Sequence, residues 1–140
     1  MLDKEKIKQK IGIIRDSVSE LEKMKTLSPG AFSANVRDLA AAKYFIRTSI
    51  EAMIDIGAHI IARNTFGAPS TNVEIMLILA REGVIAEGKL GVYTKMVRYR
   101  NRLTHFYGEV SVEEIHGIIQ SHLSDFDSFI HGITLYLEKE

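Results

Sequence analysis

Residues 33–64 read SANVRDLAAAKYFIRTSIEAMIDIGAHIIARN, and their pattern decides the fold. Leu39, Ala42, Ile46, Ile50, Met53, Ile56, Gly57 and Ile60 recur at the spacing of one face of an α-helix. No proline interrupts the run, and Gly57 is its one internal glycine. At a rise of 1.5 Å per residue such a helix is about 45 Å long. That is long for a chain of 140 residues, and Gly57 is the candidate point for a bend.

Toward the N-terminus, residues 3–24 place Ile7, Ile11, Ile14, Val18 and Leu21 on one stripe of a second helix, with lysines and glutamates opposite. Leu27-Ser28-Pro29-Gly30 is expected to stop it, since proline removes a donor and glycine frees the backbone. Toward the C-terminus, Gly67 and Pro69 mark a loop over residues 64–72. Thr71 and Glu74 then have the spacing of a capping box. The apolar run after them, residues 73–79, fits a buried strand or a short helix on periodicity alone; the capping box favours a helix that ends at Gly83. A further helix is expected over residues 86–104, with Leu90, Tyr93, Met96, Val97 and Leu103 facing inward. Ser111 and Glu114 form a second box. They open a last helix over residues 112–137, whose core face includes Ile115, Ile119, Phe126, Ile130 and Ile133. The expectation is an all-α chain, residues 1–140 as a single domain, with four to five helices in an antiparallel up-and-down bundle.

Composition narrows the function. Apolar residues make up 46% and charged residues 26%, an ordinary globular balance. There is no cysteine, hence neither disulfide nor thiolate chemistry, which fits the cytoplasm. No apolar run reaches the roughly 18 to 20 residues that span a bilayer, and the mixed-charge start, Met1 to Lys6, carries no secretory signal pattern. No membrane association is expected. The 18 basic and 18 acidic residues cancel, which argues against a surface that coats nucleic acid.

The charges are not evenly spread. From Gly88 to Gly108 stand Lys89, Lys95, Arg98, Arg100 and Arg102 without one Asp or Glu, and His105 and Tyr107 follow directly. Cations, an imidazole and a phenol gathered in a neutral chain make a local site for an anion. On a helix, five residues turn about 500°, so Arg100 and His105 lie about 140° apart in angle and about 7.5 Å apart along the axis. Fraying after Thr104 would let the arginine turn toward the imidazole. The plainer alternative is that Arg and His at a helix end complement the macrodipole and bond the last carbonyls. Elsewhere, Glu51, Asp55 and His59 form a polar line at i, i+4, i+8. It reads as a metal site or as a solvated or hydrogen-bonded stripe. No other dense ligand cluster supports a metal, so neither metal nor cofactor is expected. His116, His122 and His131 are spaced six and nine apart, and no serine has a diagnostic nucleophile context.

The segment from Met96 to Tyr107, with Arg100, His105 and Tyr107 in an Arg-x4-His-x-Tyr pattern, resembles the signature of the HepT-like proteins of the HEPN superfamily. The resemblance covers nearly the whole chain. Residues 51–61 are similar to the family's second helix, and Pro69 to Glu74 with Leu79 to Ile85 to its mid-chain loop and third helix. Arg-x4-His alone is a weak pattern; the following tyrosine and these flanks make it fairly specific. The resemblance implies a homodimeric toxin of a prokaryotic toxin–antitoxin pair that cleaves RNA without metal. It implies a partner, the nucleotidyltransferase antitoxin MntA, that transfers AMP from ATP to the motif tyrosine, here Tyr107. Arg100, Asn101, His105 and Tyr107 all match the motif.

The residue types suit that chemistry. A histidine with an ordinary pKa near 6.5 moves protons near neutrality. A permanently charged guanidinium holds phosphate oxygens. One His105 per chain is hard-pressed to be base and acid together, and a two-fold dimer meeting on the side of residues 33–64 and 86–104 would supply a second. Glu51 and Asp55 are expected either to orient His105 or pair with Arg100, or to face water. Arg98 and Arg102 are expected to contact RNA or the partner. The competing reading is a non-catalytic helical dimer that binds nucleotide or RNA and docks the nucleotidyltransferase.

Overall fold

The structure, a computed structural model, describes residues 2–140. Those residues form seven α-helices: α1 (Lys4–Lys23), α2 (Pro29–Ala34), α3 (Val36–Asn64), α4 (Asn72–Arg81), α5 (Leu90–His105), α6 (Val112–Ser121) and α7 (Leu123–Glu138). Two 3₁₀ turns, Glu87–Lys89 and Tyr107–Glu109, flank α5. There is no strand among the described residues, so residues 73–79 are helix, within α4.

The all-α expectation holds, with more helices than the four to five expected. Ser28-Pro29-Gly30 ends one helix and also starts another. The Ser28 hydroxyl accepts from Ala31 N–H at 3.1 Å, and Pro29 occupies the first turn, where its missing donor is harmless. The helix expected over residues 112–137 is two helices that meet at His122. Its apolar repeat, Ile115, Ile119, Leu123, Phe126, Ile130 and Ile133, continues through the bend, so no pattern reveals it. The bend lets α6 pack on α2 while α7 packs on α1.

α3 is the central post, packing against α1, α2, α4, α5 and α6. Its buried residues include Ile46, Ile50, Met53, Ile56, Ile60 and Ile61. They join Ile7, Ile14 and Leu21 of α1 and Phe126 and Phe129 of α7 in one continuous core. Each such side chain contributes about 1.5–3 kcal/mol on burial.

α3 is assigned as one unbroken helix, and Gly57 serves packing rather than a hinge. A Cβ there would lie 2.6 Å from Ile75 Cγ2 and 2.9 Å from Leu79 Cδ1, so the glycine is what lets α4 approach. α3 ends with Thr65 in the left-handed region (φ 56°), and Phe66 N–H bonds Ile61 carbonyl at 3.0 Å. α4 ends the same way at Gly83 (φ 73°), where Val84 N–H bonds Leu79 carbonyl at 2.8 Å and Gly83 N–H bonds Ala80 carbonyl at 3.1 Å. The Ser111–Glu114 capping box is complete. At Thr71 only half of one forms: its hydroxyl accepts from Glu74 N–H, while the Glu74 carboxylate accepts from Ser70 N–H at 2.7 Å. None of the described helices is long and apolar enough to cross a membrane.

Candidate functional site at the end of α5

α5 carries the basic stretch, and its C-terminal half runs antiparallel to the N-terminal half of α3. Two contacts set this register. Arg100 Nε stands 3.4 Å from Glu51 Oε1, and Lys43 Nζ reaches the Tyr107 backbone carbonyl at 3.3 Å. Lys43, Arg47 and Glu51 lie one helical turn apart on α3 and form one wall. Arg100 and the turn with Tyr107 form the other, with His105 between them in sequence at the end of α5.

The cations on these walls have different duties. Arg102 is committed within the chain. It forms an ion pair with Glu114, the capping glutamate of α6, and its guanidinium lies 5.5 Å from the Tyr99 ring. That pair holds the Arg102 guanidinium charged and pushes the Glu114 carboxyl below the usual carboxylate range. In the chain by itself Arg102 thus ties α5 to α6. Arg98 is exposed, with no ion-pair partner among the described residues. Arg100 is mostly covered, with 24% of its side chain accessible. Its Nη1 donates to Asn101 Oδ1 at 3.3 Å, and its buried Nε faces Glu51 at an angle that makes no hydrogen bond. Its guanidinium keeps donors for an anion.

His105 is the last residue of α5, which extends one residue beyond Thr104 instead of fraying there. It is exposed, and its ring makes no hydrogen bond to any described residue. Because the helix is intact through His105, Arg100 and His105 leave it about 140° apart. Tyr107 follows in the 3₁₀ turn with 48% of its surface exposed, and no described residue hydrogen-bonds its hydroxyl. Phe106 beside it is 55% exposed.

Glu51 lies beside Arg100, whereas Asp55 pairs elsewhere. Glu51 bonds Arg47 Nη1 at 2.8 Å and sits against Arg100. Asp55, one turn further along α3, bonds Lys10 of α1 at 2.9 Å. His59, a turn beyond, accepts Asp3 N–H at its Nε2 at 3.1 Å. The three side chains therefore serve different partners, and no group of three or more potential metal ligands occurs among the described residues. A groove of about 520 Å³ between α3, α5, α6 and α7 is lined by Ile50, Met96, Tyr99, Ile118 and Phe126 among others, but not by Arg100, His105 or Tyr107.

Lys43 and Arg47 escaped the sequence reading. A signal existed for Lys43: it lies four residues after Leu39 and three before Ile46, a core position on the helical face, where a lysine is out of place.

Residues 14–133 match the family profile described as Ribonuclease HepT-like. The mRNA nuclease HepT of Shewanella oneidensis is 34% identical over 83 residues, a match that covers 59% of this chain and 62% of that protein. The tRNA nuclease HepT of Aphanizomenon flos-aquae is 21% identical over 131 residues, covering 94% of this chain and 89% of that one. Among solved structures, the tri-AMPylated Shewanella oneidensis HEPN toxin in complex with MNT antitoxin superposes with a TM-score of 0.84 at 26% identity, over 96% of this chain and 99% of that one.

Proposed function

The chain belongs to the ribonuclease HepT-like family, and from that premise we propose that it is a metal-independent RNA endonuclease, the toxin of a toxin–antitoxin pair. One observation carries the reading. At one end of α5, Arg100 keeps spare donors, and among the described residues neither the His105 ring nor the Tyr107 hydroxyl has a hydrogen-bond partner, while neighbouring Arg102 is held in an ion pair with Glu114. These three groups, side by side in the chain, are left open to something outside it. The names of the two nucleases and the AMPylated toxin complex support the same reading.

In this mechanism Arg100 holds a phosphate and stabilises the charge that builds on it. His105 takes the proton of the ribose 2′-hydroxyl. The 2′-oxygen attacks the adjacent phosphorus, the bond to the 5′-oxygen breaks, and a 2′,3′-cyclic phosphate and a 5′-hydroxyl remain. The proton for the leaving oxygen comes from His105 of a second copy in a two-fold dimer. The divergence of Arg100 and His105 around α5 favours such a shared site, since one chain does not aim both side chains at one point. Glu51 orients Arg100, Asn101 supports it, and Arg98 adds a backbone contact. An MntA-type nucleotidyltransferase silences the toxin by transferring AMP to Tyr107, which places a bulky anion where RNA phosphate must sit. The setting is the cytoplasm, where both RNA and ATP are found.

The test is cleavage of total RNA by the purified chain in EDTA, with Tyr107 shown by mass to be unmodified. Wild type cleaves, and Arg100→Ala and His105→Ala each slow cleavage by about 100-fold or more. Equal, intact RNA with wild type and His105→Ala sinks the nuclease reading. RNA binding without cleavage would instead mark a non-catalytic docking module.

A further inference from the structure

Tyr107 stands outside α5, in a three-residue turn whose start has no side-chain cap and whose second residue is Gly108. A side chain in such a place is ordinarily mobile. Among the described residues, the hydrogen bond that reaches it from another helix comes from Lys43 of α3. The Lys43 ammonium donates to the Tyr107 carbonyl at 3.3 Å and also lies 4.1 Å from the centroid of the Tyr107 ring. One cation thus grips both the backbone and the ring face of the same residue.

Lys43 is 6% exposed and is the one buried Lys or Arg among the described residues. No carboxylate of the described residues forms an ion pair with it; the nearby Glu51 pairs with Arg47 and Arg100. Burying an ammonium is costly, and packing at this position between Ala42 and Ile46 asks only for an apolar side chain. The charge therefore serves the turn, not the core. With the ring face turned to Lys43, the hydroxyl projects from the ring edge, and no described residue hydrogen-bonds it.

We infer that Lys43 is the positioning residue of Tyr107, holding the phenol in one orientation for transfer of a nucleotidyl group to its oxygen. This deepens the proposed modification of Tyr107 and rests on it. In that transfer the phenolic oxygen bonds the α-phosphorus of ATP and the bond from that phosphorus to the bridging oxygen breaks. Pyrophosphate leaves, and the phenolic proton passes to a base of the nucleotidyltransferase. Lys43 touches none of the reacting atoms. It makes the acceptor rigid before the enzyme arrives, which lowers the entropy lost in reaching the transition state.

Two measurements on the full-length chain test this, with Lys43→Met, Lys43→Gln and Lys43→Arg. In hydrogen exchange, Lys43→Met speeds exchange of the amides of residues 106–110 by about tenfold while the α3 core amides keep their protection. Lys43→Arg restores the slow exchange and Lys43→Gln does not. In AMP transfer, followed by intact mass with ATP and a nucleotidyltransferase that accepts the wild-type chain, Lys43→Met lowers kcat about tenfold with KM within about twofold. Lys43→Arg again rescues. Unchanged exchange in the turn with Lys43→Met overturns the inference, as does full rescue by Lys43→Gln, which has a donor but no charge. If the turn loosens as expected but no nucleotidyltransferase modifies the wild type, positioning stands and the reading of Tyr107 as AMP acceptor falls.

Discussion

At the scale of single residues, neighbouring cations divide between holding the fold and facing outward. Arg102 closes an ion pair with Glu114, Arg47 with Glu51, and Lys10 with Asp55, while Arg98 has no such partner among the described residues. Lys43 is buried against Tyr107 instead. His59 shows how burial sets a titration. It is 9% exposed, and its Nε2 accepts Asp3 N–H, which requires that nitrogen to be unprotonated. Burial, then the charges of Lys6 and Arg63, hold its pKa below the usual 6.5 of histidine, with Asp3 opposing them. The sign follows. Below about pH 6.5 the unfolded chain takes up a proton that the folded chain resists, so acid favours unfolding by at most about 1.4 kcal/mol per pH unit in that window. Urea unfolding at pH 7.5 and 5.5 is expected to show lower stability at 5.5. His59→Gln is expected to shrink the difference, and an unchanged difference would remove His59 as its source.

At the scale of elements, small residues decide how closely helices meet. Gly57 was legible as unusual, but its use was not. Nothing in the sequence says that Ile75 and Leu79 press on it, because they sit on another helix. Gly57→Ala gains helix propensity, about 1 kcal/mol, yet drives a methyl into two packed side chains. The overpacking cost of about 1–3 kcal/mol wins, for a net loss of roughly 1 kcal/mol. Gly12→Ala in α1 is the control, since a Cβ there meets nothing within 4 Å, and it is expected to stabilise by about 0.5–1 kcal/mol. Denaturant midpoints of the two variants should move in opposite directions, and a shift in the same direction would show that α3 and α4 can part without cost. The α6–α7 break teaches the same lesson. Apolar spacing predicts which residues are buried, and it held across residues 112–137, but a bend that keeps the phase leaves no mark in the pattern.

At the scale of the whole molecule, charge balance bears on RNA binding. With 18 charges of each sign the chain has no net charge to draw RNA over its whole surface, and beside the site Arg47 and Arg102 are paired within the chain, so phosphate contacts are expected to be few. Each phosphate contact to a single strand contributes about −0.7 to the slope of log K against log salt, so two or three contacts per chain give about −1.4 to −2.1. Binding of a short RNA by His105→Ala, measured from 50 to 300 mM salt, is expected to show that shallow slope. A slope steeper than about −5 would mean a broad basic face and contradict the focused site. The sequence by itself determined the all-α class and the apolar faces, though not the number of helices, because apolar periodicity, caps and turn residues act over a few neighbours along the chain. It also determined the motif, Arg100, His105 and Tyr107, because their spacing is local. Only the tertiary structure decided what the charges do. The window from Gly88 to Gly108 holds no carboxylate, yet Glu51 and Glu114 are brought to Arg100 and Arg102 from other helices, and Lys43 to Tyr107. Coulomb attraction and hydrogen bonding depend on distance in space, and packing around α3 sets those distances between residues up to 64 positions apart.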